Sequence, residues 1–325
     1  MINFPPETYK LDPDDWPKLM SQVNAETQGG YSQFRRSLTP HYPTVWKDIA
    51  LGYVALACVL GMTGLVSGVI SGLIAAVVGA ISLGFIIAYL QLFIHEAAHW
   101  GLAKNRGRSD KIADILIAWH VGTSIAAYRK VHFEHHRHLG READEETSYR
   151  FPLSWKLMFE MVTGIHAVRI LLMRNKKPKT NSQPSSKAPL LRGVAVHSLL
   201  LLSMLAFGAW PAALAWCGGM AIFFPVFATL RPLLEHRPAK SDSKILVSDR
   251  ASVTRVFDDG LFARVFGAAG FNRHLLHHWE PSISYTRLAE LDRYLSATSI
   301  GSIVDERRTT YRQAFLNILA SDRGN

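Results

Sequence analysis

Polar and apolar residues are divided unevenly along this chain. From Ile49 to Ile94 there is no Asp, Glu, Lys or Arg, and the same holds from Gly193 to Leu230. A membrane-crossing helix needs about 20 largely apolar residues, so each run holds two spans and an uncharged turn. A soluble helix must keep a polar face, and these runs leave no room for one. The pattern predicts an all-α integral membrane protein with four transmembrane helices in two hairpins, at residues 49–94 and 190–231. Spans are expected at 49–69, 73–93, 190–207 and 211–230. Three polar segments flank them: a lead-in at 1–48, a central segment at 95–189 and a C-terminal segment at 232–325.

Charge orients this arrangement. The net charge is +10, and Lys and Arg gather on the cytoplasmic side of a membrane. The two turns, near Ser67–Gly72 and Gly208–Pro211, are uncharged, and every basic segment lies outside the hairpins. Both termini and the central segment are therefore expected in the cytoplasm, beneath a bacterial inner membrane. The basic residues flank spans instead of forming a stripe with interleaved aromatics, so no nucleic-acid partner is expected. Cys58 and Cys217 both fall inside spans, which excludes a disulfide framework or a thiolate metal site. No Cys-x-x-Cys is present to carry a fused iron–sulfur module, and residues 1–48 are too polar for a cleavable signal peptide.

The remaining segments read more coarsely. Trp16, Tyr31, Phe34 and Trp46, with Arg35 and Arg36, suit either the membrane interface or ordinary packing. Ile112–Tyr128 is apolar but short and holds Asp114 and His120; it is expected to be a buried or interfacial helix. Leu153–Met173 reads as an amphipathic helix with Trp155, Phe159 and Ile170 on its apolar side. Arg174–Arg192 carries six Lys or Arg and no acid, as a cytoplasmic linker would. Lys240–Gly270 is mixed in character, and residues 282–325 form a polar, helix-compatible tail.

Histidines change the picture from a membrane bundle to a metal protein. Eight of the 14 fall in three short arrays. His95 and His99 stand at i and i+4, continuing the second span. His132, His135 and His136 stand at i, i+3 and i+4, as do His274, His277 and His278. On a helix these spacings send the rings out of one face together, and neutral imidazoles converging there suit a transition metal. One ion rarely needs more than about four to six ligands, so eight point to more than one. His236, where the fourth span ends, is at the depth of His95 and His99 and becomes a ninth candidate. Asp144, Glu145 and Glu146 are placed to orient ligand histidines through hydrogen bonds. His41, His120, His166 and His197 fit no array and are expected to be structural.

Histidine-rich sites with few carboxylates disfavour magnesium and calcium and suit a dinuclear site in iron or a similar metal. Redox metals at the mouth of a membrane bundle suggest dioxygen activation beside an apolar substrate. The ordered arrays His-x3-His, His-x2-His-His and His-x2-His-His resemble those of the membrane fatty acid desaturase and hydroxylase superfamily, over about Leu90 to Leu291. Asn272-Arg273-His274-Leu275-Leu276-His277-His278-Trp279-Glu280-Pro281 is similar to the last box of that family, and Glu235-His236 to its extra histidine. The resemblance implies two iron ions, dioxygen as co-substrate and a lipid or acyl substrate in the membrane. Its ligands would be His95, His99, His132, His135, His136, His236, His274, His277 and His278, with His138, Asp144, Glu235 and Asn272 around them. No His-Pro-Gly-Gly haem box is present, so an external electron donor, a ferredoxin-like or similar protein, is expected. Desaturation of an acyl chain is the expected reaction. A hydroxylase or ketolase acting on a lipid, alkane or isoprenoid is the alternative.

Two other classes fit the pattern less well. His95-Glu96-Ala97-Ala98-His99 is literally the zinc-protease motif His-Glu-x-x-His, but a membrane metalloprotease needs one further ligand and leaves six array histidines unused. A metal transporter would place its ligands near the bilayer midplane, whereas these sit at the end of the spans.

Overall fold

The computed structural model describes residues 16–139, 144, 146, 149, 151–166, 168, 169, 186–237 and 254–322. In chain order its helices are α1 (Trp16–Glu26), α2 (Gly30–Ser37), α3 (Tyr42–Gly64), α4 (Val69–Ala98), α5 (Arg106–Leu116), α6 (Ile125–His138) and α7 (Trp155–Val162). Then follow α8 (Ala188–Ala206), α9 (Trp210–His236), α10 (Leu261–Phe266), α11 (His274–Trp279), α12 (Leu288–Ser296), α13 (Gly301–Glu306) and α14 (Tyr311–Asp322).

The two uncharged runs become α3, α4, α8 and α9, all long and apolar enough to cross a membrane. Their outer faces expose Leu51, Val54, Ile70, Ile74, Leu199 and Leu202, an apolar surface of the kind a lipid bilayer covers. Their mutual contacts use small residues. A Cβ on Gly79 would come within 2.8 Å of Thr63 Oγ1, and one on Gly84 within 2.3 Å of Phe223 Cβ. The helices run longer than the apolar stretches. Pro43 in the first turn of α3 starts that helix seven residues before Ile49, and the turn after it narrows to residues 65–68, ahead of the expected Ser67–Gly72. A π-turn interrupts α9 at Gly219–Phe223. Pro225 lacks an N–H and its ring would press on the carbonyl of Ala221; the widened turn relieves both.

The shorter helices bury apolar side chains of their own. Leu19, Val23 and Tyr31 from α1 and α2 pack with Leu275, Leu276 and Trp279 of α11 and with Leu288, Leu291 and Leu295 of α12. Trp16 stacks on Trp279 at 4.9 Å and Phe34 on Tyr294 at 4.2 Å. So Trp16, Tyr31 and Phe34 serve packing, Tyr31 buried and the other two half-buried, whereas Trp46 is exposed. The C-terminal segment is likewise no polar tail, since Ile303, Val304, Tyr311, Ala314 and Ile318 are buried. It also supplies the strand β2 (Arg308–Thr309), which pairs in parallel with β1 (Val256–Phe257), a small exception to an all-α fold.

Two expected helices are broken. Ile112–Tyr128 divides at Gly122, whose φ of 61° ends a 3-10 turn (Ala118–Val121), and Ser124 then caps α6 by accepting from Ala127 N. Leu153–Met173 is interrupted after Val162, where Gly164 takes a φ of 76°. Within α7, Leu157 and Met161 are buried while Trp155 and Phe159 face outward. Ile170, Glu145, residues 1–15, most of the basic linker and residues 240–253 lie outside the described residues.

Candidate metal centre

Two short helices and two helix ends deliver the histidines. His95 lies in the last turn of α4 and His99 caps it. His132, His135 and His136 come from α6, His236 from the last turn of α9, and His274, His277 and His278 from α11. Their ring nitrogens form two groups. His95, His99, His132, His136 and His277 make one, and His135, His236, His274 and His278 the other. Within each, one nitrogen from every ring lies within 4.8 Å of all the rest. The groups adjoin: the rings of His136 and His278 are 4.4 Å apart and those of His274 and His277 5.8 Å.

Each i, i+3, i+4 array is therefore shared between the groups instead of serving one. An α-helix turns 100° per residue, so positions i+3 and i+4 point about 100° apart. His132 and His136 go one way and His135 the other; His274 and His278 pair while His277 crosses over.

The packing of these nitrogens is informative. His132 Nε2 lies 2.8 Å from His99 Nε2 and 3.0 Å from His136 Nε2, which is itself 3.0 Å from His277 Nε2. In the second group His274 Nε2 is 2.9 Å from His236 Nε2 and 3.2 Å from His278 Nε2. Neutral imidazoles carry one N–H each, so such chains cannot all be good hydrogen bonds. Protons do not resolve the conflict. Burial, reinforced by neighbouring histidines, holds His132, His136, His274, His277 and His278 well below the usual histidine range. His99 is lowered to about 4 by burial and then by Arg129. Neither nitrogen of buried His95 has a partner among the described residues, a state that costs about 1–3 kcal/mol unless something accepts the lone pair. A cation at the centre of each group meets all these lone pairs, and imidazole donors suit iron, zinc, copper or nickel. The residues fit two metal ions.

Around this core the other expected residues divide. Asp144 is fully buried, and both its oxygens stand 3.0 Å from His135 Nδ1. It also accepts from Tyr149 Oη at 2.6 Å and Glu146 N at 2.9 Å. This fixes the His135 tautomer with its proton on Nδ1, so that Nε2 carries the lone pair suited to a metal. Glu235 is buried with Oε1 3.5 Å from Arg231 Nε. His138 does not join either group: it turns to Glu134, with Nε2 3.4 Å from Oε2. Asn272 makes no side-chain hydrogen bond to a histidine among the described residues; it lines a cavity of about 980 Å³ with Leu51, Tyr89 and Tyr285. The four histidines outside the arrays stay outside the groups. His120 Nδ1 faces Ile117 O, His197 Nε2 faces His120 O and His41 Nδ1 faces Thr44 Oγ1, while His166 is buried against Phe151.

Glu96 weighs against the protease reading. Its carboxylate accepts from Ser284 Oγ at 2.6 Å and Tyr285 N at 3.4 Å, and it abuts Gly101 so closely that a Cβ there would lie 2.0 Å from Oε1. It is a structural anchor, not a base held over metal-bound water. Sequence reasoning missed Phe271, whose ring lies 4.4 Å from that of His95 and 4.9 Å from that of His274, with the Arg231 guanidinium 3.9 Å from its centroid. It also missed Tyr149. An aromatic five residues beyond Asp144 carries no periodic signal.

Four helices long and apolar enough to cross a membrane, with a paired histidine centre that fits two metal ions, define the class. The family model for fatty acid desaturases matches residues 71–312, and the chain belongs to that family. No match to a curated protein was found.

Proposed function

We propose that this chain is an oxygen-dependent desaturase of a fatty acyl chain, with two iron ions held by the nine grouped histidines. The observation that carries the reading is the convergence of nine imidazoles, six buried and three half-buried, into two adjoining groups at the end of apolar, membrane-length helices. Iron bound there would supply the reduction of dioxygen that makes an unactivated C–H bond removable. The balanced reaction takes a –CH2–CH2– unit, O2, two electrons and two protons to –CH=CH– and two waters. The chain's own residues bury the centre from water, and Asp144 holds the Nδ1 proton of His135. In this reading α3–α4 and α8–α9 are hairpins, and the centre lies on the cytoplasmic face where the basic segments gather. The electrons come from a separate carrier protein.

The test is expression in a lipid-producing host, with mass spectrometry of extracted lipids and metal analysis of purified protein. Loss of two hydrogens with about two iron atoms per chain is expected. Gain of one oxygen would instead indicate a hydroxylase, and stoichiometric zinc with peptidase activity would overturn the reading.

A further inference from the structure

Resting on the reading of the chain as an electron-consuming oxidase, we propose that the surface around Trp100 docks an acidic one-electron carrier protein, and that Trp100 is where the electron enters toward His99. Trp100 directly follows the capping histidine of α4 and has a φ of 59°, a left-handed conformation costing about 1–2 kcal/mol for such a residue. Backbone strain of this sort persists where the surroundings hold it, and here they do. The Arg106 and Arg129 guanidiniums lie 4.4 and 4.2 Å from the Trp100 ring centroid. Arg129 is fixed in turn by Asp110 through two hydrogen bonds, at 2.5 and 3.0 Å, and by the carbonyls of Ala97 and Ala98 at the end of α4. The half-buried indole is thus held with one part at the surface and its backbone joined to a ring of the first histidine group. Phe133 adds a second route, 6.1 Å from the Trp100 ring and 5.3 Å from His99.

The surrounding charge selects the partner. Lys104, Arg106, Arg108 and Lys130 are exposed, and none meets an acid among the described residues. The acids here, Asp110 and Glu134, are already engaged by Arg129, Arg137 and His138. A lipid-facing surface would also expose large apolar side chains, as α7 does with Trp155 and Phe159. On this side α5 exposes one, Ile115 near its C-terminal end, and α6 exposes none. Cationic side chains with so few apolar ones suit a water-exposed face steering an acidic protein. With two iron ions held by the grouped histidines, each docking would pass one electron from the carrier's reduced cluster to one ferric ion, and two dockings would supply the two electrons of one turnover.

The test uses iron-loaded full-length protein in nanodiscs and an acidic plant-type [2Fe–2S] ferredoxin as probe, with dithionite as a small reductant. The double variant Lys104→Glu/Arg108→Glu should raise the ferredoxin concentration for half-maximal rate at least about tenfold and flatten its salt dependence. Trp100→Leu should slow turnover at saturating ferredoxin, with Trp100→Phe in between. All should match wild type with dithionite. Equal losses with both reductants would mean that Trp100 only packs against His99, and ferredoxin kinetics unchanged by charge reversal would remove the docking face. Direct ferredoxin binding reads the face without turnover. If wild type fails even with dithionite while binding still responds to charge reversal, the oxidase reading falls and the docking face stands. Unchanged ferredoxin binding with a variant altered only in anionic nanodiscs would make this a lipid contact and overturn the proposal.

Discussion

His132 and His135 leave the same helix three residues apart and belong to different histidine groups. His132 Nε2 meets His99 Nε2 at 2.8 Å, whereas His135 packs its ring 4.9 Å from that of His236. If each group holds one ion, the two positions titrate different metals. His135→Ala should keep about one iron per chain, and His132→Ala should keep the complementary one. Metal analysis with Mössbauer spectra of both variants checks this. Identical residual spectra from the two would show that the groups are not separate sites.

Asp144 predicts a graded effect. It orients His135 from outside the coordination shell, and removing such a partner weakens metal binding by about 10–100-fold. Asp144→Asn should fall in that range in a chelator competition, while Tyr149→Phe, which removes only the 2.6 Å hydrogen bond to Asp144, should fall less. Affinity unchanged by Asp144→Asn would mean that His135 needs no orienting carboxylate.

Glu96 separates the oxidase from the protease. Glu96→Gln keeps an oxygen to accept from Ser284 and should leave iron content intact and most of the activity in place, where a protease would lose its base. Gly101→Ala is the harsher change, since the new Cβ would fall 2.0 Å from Glu96 Oε1. Overpacking of this kind costs about 1–3 kcal/mol, and a lowered melting temperature with Gly101→Ala but not with an exposed control such as Gly107→Ala would locate the strain there.

What the sequence carried and what it did not follow from range. Absence of charge over 46 and 38 residues is a composition signal along one segment, so α3, α4, α8 and α9 were legible apart from their ends. The ends were set by local chemistry: Pro43 before α3 and the π-turn ahead of Pro225. The histidines were legible as arrays because spacing on a helix is local. How the arrays divide between two groups was not, since it depends on the angle at which α6 and α11 face each other. His138 stays outside both groups for a local reason: Glu134, four residues earlier on the same helix, holds it. The packing of Trp16 on Trp279 joins residues from the two ends of the chain, and no periodicity reveals such a pair.

Acid should loosen the protein before it attacks any surface ion pair. Burial lowers His99 to about 4, with Arg129 adding to it, and drives His132, His136, His274, His277 and His278 down in the same direction. An unfolded histidine titrates near 6.5. Above that value neither state binds the proton, and the folded centre bears no penalty. Below it the unfolded chain takes up protons that the folded chain refuses, so stability falls as pH drops from about 6.5 towards 4. Each such histidine contributes up to about 1.4 kcal/mol per pH unit in that window. Because metal also requires neutral imidazoles, loaded protein should release iron over the same interval. Thermal melting of metal-free protein in detergent at pH 7.5 and 5.5, beside iron release followed at both, measures the two effects. A melting temperature that does not fall between those values would mean that the histidines take up protons in the folded state, and that the closely packed nitrogens are bridged by hydrogen and not by metal.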